Sequence, residues 1–170
     1  MANTIVKIGK MASTNVDAYL KPAQYTAALE NGAHVVLGAL LTGDLNTYVA
    51  STPSSVTTQE VVLVEAPVLI EVEGMRIDLQ DPRKFTNAAN RPFRTRKLVV
   101  GDSFTMSVDG FSSTPTVGQY AVPANGSTKL APAADLSGNT LLAYKVDLLT
   151  NISVGLERVA AYKLTVVRAL

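Results

Sequence analysis

The chain has 170 residues, with 15 Lys plus Arg against 14 Asp plus Glu, and charged residues make up 17% of it. That length supports one domain with a substantial core, and the absence of Cys excludes a disulfide scaffold, a thiol nucleophile and any Cys-ligated zinc or iron–sulfur site. A formal charge of +1 argues against a general nucleic-acid binder, which carries a strong positive excess.

The chain opens with Ile5-Val6-Lys7-Ile8, an alternation of apolar and polar residues without a continuous hydrophobic stretch of signal-peptide type, so synthesis in a cytosol without secretion is expected. Residues 1–15 read as an extended N-terminal arm and 16–170 as a single β-rich domain. Within the arm, Ile5-Val6-Lys7-Ile8 either adds a strand to a partner's sheet edge or forms the first strand of the chain's own sheet. Pro22 to Glu30 has Pro near its start, good helix formers inside and Asn31-Gly32 as a stop, and predicts a helix. His34, the only histidine, begins the apolar run of Val35 to Leu41 and reads as a strand residue with a satisfied ring. That run is far shorter than the roughly 20 residues needed to cross a bilayer, and no membrane association is expected.

From residue 60 onward the dominant period is two. Glu60–Val64, Val68–Glu73 and Met75–Gln80 read as strands, the last two as a hairpin or a strand bent at a bulge around Glu73-Gly74. Lys97–Val100, Ser103–Asp109, Val117–Val122, Thr128–Ala131, Leu141–Asp147 and Ala160–Arg168 follow, separated by Gly101-Asp102, Asp109-Gly110, Asn125-Gly126 and Ser137-Gly138. Val154–Ala161 reads as a short helix or the lead-in to a strand, with Gly155 favouring the latter. Many short strands with frequent turns predict a mainly β fold, a single compact β-sandwich or partly open barrel with one or two short helices.

Charge order is more informative than net charge. Six of the 14 acids lie between Glu60 and Asp81, and six of the 15 bases follow in an acid-free stretch: Arg83, Lys84, Arg91, Arg94, Arg96 and Lys97. Its Thr/Asn/Ala centre and Arg91-Pro92 predict a loop. Three roles compete for it: neutralising the protein's own acidic sheet, docking on an acidic partner with Phe85 and Phe93 as apolar anchors, or binding nucleic acid by stacking and phosphate contacts. Catalytic chemistry has few candidates. One histidine cannot build a histidine metal site, no Gly-rich phosphate loop occurs, and Glu71 and Glu73, two apart on a strand, read more readily as solvated carboxylates than as a glycosidase pair. Neither enzymatic activity nor a cofactor is expected.

Asn31 to Gly38, Gly101 to Phe104, Val117 to Tyr120 and Leu156 to Val167 resemble, in spacing and general character, the capsid decoration (head auxiliary or cement) proteins of tailed bacteriophages. The resemblance implies a non-catalytic virion protein on the outer capsid surface, bracing neighbouring major-capsid subunits and commonly forming trimers on the lattice. The contact candidates read from the residues are the arm (Ile5, Lys7, Ile8, Lys10) and the basic stretch (Arg83, Lys84, Phe85, Arg91, Phe93, Arg94, Arg96). Tail or baseplate proteins share the composition. A carbohydrate- or receptor-binding β module is the rival, against which the scattered tyrosines and missing Trp count.

Overall fold

A computed structural model describes residues 2–72, 75–78 and 81–170 of the chain. Thirteen strands are present among the described residues: β1 (Val6–Ile8), β2 (Leu20–Gln24), β3 (His34–Leu40), β4 (Tyr48–Ser51), β5 (Val61–Val64), β6 (Leu69–Val72), β7 (Met75–Asp78), β8 (Pro92–Arg96), β9 (Ser103–Ser107), β10 (Tyr120–Pro123), β11 (Leu130–Ala133), β12 (Leu142–Val154) and β13 (Glu157–Ala169). They form a closed barrel, β2-β4-β3-β5-β8, a six-stranded sheet in the order β1-β9-β13-β12-β10-β11, and a β6–β7 ribbon. The fold is mainly β, as the period-two pattern predicts. The barrel is closed rather than partly open, and a separate sheet packs beside it.

β5 forms the wall between barrel and sheet. All four residues of Val61-Val62-Leu63-Val64 are buried. Val62 and Val64 join Ala23, Leu29, Val35 and Phe93 in the barrel's own core. Val61 and Leu63 pack with Phe104, Tyr144, Val146 and Leu164 in the larger core between barrel and sheet. A strand covered on both faces has no solvent side to mark with polar residues, which explains its unbroken apolar run.

Four expectations are corrected. No α-helix forms at Pro22–Glu30. Leu20–Gln24 is instead strand β2, antiparallel to β8 and parallel to β4, and Leu29 and Asn87 exchange backbone hydrogen bonds of 3.0 and 2.8 Å. Ala23, fully buried inside the barrel, and two flanking strands override a helical propensity that is worth only tenths of a kcal/mol per residue. The helical segments among the described residues are 3-10 turns of three residues each.

The basic stretch is not one loop. It holds a 3-10 turn at Pro82–Lys84 and then β8, while Lys97–Val100, expected as a strand, leaves the ladder. In β8 Phe93 and Thr95 lie on the buried side, whereas Arg94 and Arg96 alternate with them and reach Glu65. Period two was therefore present, carried by arginine.

The first residues do not stand off as an arm. β1 pairs with β9 from Val6↔Met106 to Ile8↔Phe104, and Ile5 packs with Ile152, Val154 and Ala161. Behind this segment Gly32 sits at φ +82, where an added Cβ would lie 2.6 Å from Thr4 Cγ2, so both backbone sign and space require glycine.

The β12 boundary also moves. The strand runs past Asp147 to Val154 and turns at Gly155-Leu156 into β13, making a hairpin of two 13-residue strands. The lead-in to a strand expected at Val154–Ala161 is this turn and the start of β13. The hairpin expected around Glu73-Gly74 pairs from Leu69↔Asp78 to Val72↔Met75, and Glu73 and Gly74 lie outside the described residues.

Candidate binding surface

The charges of the basic stretch are mostly spent on the chain's own acids. Glu65 accepts from Arg94 at 2.6 Å and from Arg96 at 2.8 Å, and Arg96 also donates to Ser13 Oγ at 3.1 Å. Arg96 and Glu65 have side chains only 8% and 13% exposed, so this cluster is largely shielded from water. Lys97 pairs with Glu60 at 2.7 Å on the surface, which raises the lysine pKa. Arg83 reaches Asp81 at 2.9 Å and also Glu157; these two hydrogen bonds raise its pKa, and the same guanidinium holds the Asp81 carboxyl below its ordinary value.

Other proposed contact residues are sorted by burial. Phe85 and Phe93 are each only 6% exposed and pack inside the fold, so neither can anchor in a partner or stack on a base without rearrangement. Ile5 is buried and Ile8 packs partly against the main core. Lys7 and Lys10 are exposed near the sheet edge. Lys84 and Arg91 are exposed and in no ion pair among the described residues. Of the paired carboxylates considered for catalysis, Glu71 sits on β6 in register with Arg76, and Glu73 lies outside the described residues. Tyr144 and Tyr162 are core residues, so the tyrosines do not gather into a platform.

Arg91 borders an open groove of about 1510 Å³ on the barrel exterior. Lys21 and Pro22 of β2 form one bank and Arg91 to Arg94 the adjoining one. Leu45, Tyr48, Pro67 and Leu69 also line it. Local chemistry presents Leu45: Gly43 turns at φ +84, and Asp44 Oδ1 accepts from the backbone N–H groups of Asn46 and Thr47 at 2.8 and 3.0 Å. Those two hydrogen bonds hold the Asp44 carboxyl below its ordinary pKa and fix a tight Asx turn, leaving Leu45 88% exposed at its tip. Lys21 Nζ lies 5.2 Å from the Tyr48 ring centroid, within cation–π range.

Sequence reasoning reached Phe85, Arg91, Phe93 and Arg94 of this surface and missed Lys21, Leu45 and Tyr48 as contact residues. The available signal was Leu45 itself, a lone large apolar residue within the turn sequence Thr-Gly-Asp-Leu-Asn-Thr.

A second cavity of about 130 Å³ lies between Thr4, Glu30 and Lys129. Its charged groups are already engaged. Glu30 accepts from Thr4 N and Oγ1 at 2.9 and 2.8 Å, and Lys129 donates to the Asp109 carbonyl at 2.8 Å. His34 is fully buried where barrel meets sheet, with Nε2 2.6 Å from the Tyr144 hydroxyl and Nδ1 without a hydrogen bond of normal geometry. Burial lowers its pKa to about 3 and the Gly32 backbone opposes this by less, so the ring is neutral at physiological pH.

Among the described residues no helix is long and apolar enough to cross a membrane. Comparison with protein-family models, with curated protein sequences and with solved structures finds no match to this chain.

Proposed function

We propose that the protein is a non-catalytic virion structural protein that binds the outer surface of a tailed-bacteriophage capsid and stabilises the shell by bracing neighbouring major-capsid subunits. The observation that supports this reading best is the open groove on the barrel, with Leu45 exposed at its rim and Arg91 free of ion pairs among the described residues. Small-molecule sites are typically concave pockets of about 300–1,000 Å³. At about 1510 Å³ and open to solvent, this groove fits a segment of another chain better. Arg91 and Tyr48 are of the residue types enriched at interfaces, and Leu45 adds exposed apolar surface to the same groove.

Shell binding by one such groove is weak. Repeated around a homo-oligomer on a symmetric lattice, it becomes strong through effective concentration without any new contact. Lys21, Pro22, Tyr48 and Pro92 to Arg94 lie on strands of the closed barrel, so little ordering cost falls on binding at these residues.

Co-sedimentation of the purified protein with bare expanded capsids tests the reading. Wild type pellets with the shells, and Leu45→Glu and Arg91→Glu each weaken binding about tenfold, the scale of a central interface residue. Val117→Glu, exposed and outside the groove, leaves it unchanged. Wild type that stays in the supernatant, or groove variants that pellet like wild type, overturns the reading.

A further inference from the structure

The β12–β13 hairpin outruns its neighbours. β10 pairs with β12 only at Tyr120↔Lys145 and Ala121↔Tyr144, with Gly118 and Gln119 adding backbone bonds to Val146. Beyond that point, residues 148–154 of β12 pair with β13 on one side and, among the described residues, with nothing on the other. A free strand edge presents a row of N–H and C=O groups that template a further strand, and proteins normally guard such edges with charge, proline or brevity.

The outer edges of the sheet and of the ribbon carry these guards. β1 is three residues long and contains Lys7, β11 contains Pro132, and the β6–β7 ribbon carries Glu71, Arg76 and Asp78. On the far side of the same hairpin tip, β13 begins Glu157-Arg158. The 148–154 edge reads Leu-Leu-Thr-Asn-Ile-Ser-Val, with no charge, no proline and high β propensity. Leu148 and Leu149 are 55% and 54% exposed on it. Among the outer edges of the six-stranded sheet and the β6–β7 ribbon, it is the one with neither charge nor proline.

We infer that this edge is an interface, and that its occupant is the same edge of a second copy of the chain. Antiparallel pairing about a two-fold axis at Asn151 sets Leu148 opposite Val154, Leu149 opposite Ser153 and Thr150 opposite Ile152. Paired residues then share a sheet face, the apolar alternation continues across the axis, and no like charges meet. Seven residues give a ladder of about 23 Å. The two-fold pairing departs from the trimer that the phage resemblance implies, and it stands independently of shell binding: a solution dimer without capsid affinity supports the pairing and refutes the proposed function.

Sedimentation equilibrium of the full chain across about a hundredfold concentration range tests it. Wild type shifts from 18.0 kDa towards twice that mass. Asn151→Lys places two like charges at the axis and holds the protein at the monomer mass, and Asn151→Glu does the same. Mixing the two variants in equal amounts restores the dimer, which a folding defect could not do. A wild type that remains monomeric, a mass of three chains, variants that dimerise normally, or a mixture that stays monomeric overturns the inference.

Discussion

Replacing His34 by glutamine removes the chain's only imidazole while leaving a polar group beside the Tyr144 hydroxyl. The expected effect is on the pH dependence of stability. His34 is fully buried with its pKa lowered to about 3 from 6.5, whereas in the unfolded chain it titrates at its ordinary value. Between those pH values the unfolded state binds a proton that the folded state does not, so stability falls as pH falls from about 6.5 and levels off below about 3. The slope is about 1.4 kcal/mol per pH unit, which gives a loss of about 2 kcal/mol on going from neutral pH to pH 5. For a domain of this size that corresponds to about 4–8 °C in melting temperature.

The carboxyls that are held low, among them Asp44, Asp81 and Asp135, act at more acidic pH and leave this window to the histidine. Burial, and then the charge of Asp102, raise the Tyr144 phenol, so it stays protonated throughout. Circular-dichroism melts at half-unit steps from pH 7.5 to 5 read the slope. His34→Gln flattens it, even if the variant is less stable overall. A wild type without slope in that range, or a variant that retains the wild-type slope, refutes the assignment of a buried neutral ring at the barrel–sheet junction.

Two further outcomes follow from packing and charge. Glu65→Ala strands Arg96 in a largely buried site and costs about 3–5 kcal/mol, whereas Lys97→Ala, at a surface pair, costs under about 1 kcal/mol; urea titrations that rank the two equally would contradict the burial argument. Deleting residues 2–10 removes β1 from β9 and uncovers the pocket of Ile5, whose burial alone is worth about 1.5–3 kcal/mol, so a clear fall in the urea midpoint is expected, and an unchanged midpoint would restore the detachable-arm reading.

Much of the β architecture was legible because alternation is local. β5, β6, β7 and β9 lie where period two placed them, and each strand expected within residues 117–131 and 141–168 corresponds to a strand, with shifted limits. β2 and β8 were misread for opposite reasons. At Pro22–Glu30 the helix formers and the Asn31-Gly32 stop point to a helix, whereas Lys21, as the residue before proline, is biased towards the extended backbone that β2 adopts. At Pro92–Arg96 the polar Thr/Asn/Ala centre before it and Arg91-Pro92 point to a loop, although Phe93 and Thr95 alternate with Arg94 and Arg96. The candidate surface was legible only at Phe85 and Arg91 to Arg94, because the groove is assembled from segments far apart in the chain, among them Asp17–Pro22, the β3–β4 turn, Ala66–Leu69 and residues 85–94.

By itself the sequence determined the mainly β class, the turn positions, the absence of thiol chemistry and the placing of acids before bases. Those properties depend on residue type and on neighbours one or two positions away. Only the tertiary structure decided which charges cancel. Glu65 meets Arg94 and Arg96 across 29 and 31 positions, His34 meets Tyr144 across 110, and Ile5 meets Ser107 across 102. Contacts at such separations are set by which strands close the barrel and which extend the sheet, and no local period encodes them. The near-zero net charge is set by composition, but the fold is what pairs Asp81, Glu65 and Glu60 with the basic stretch and leaves Leu45, Arg91 and the bare edge of β12 as surfaces open to a partner.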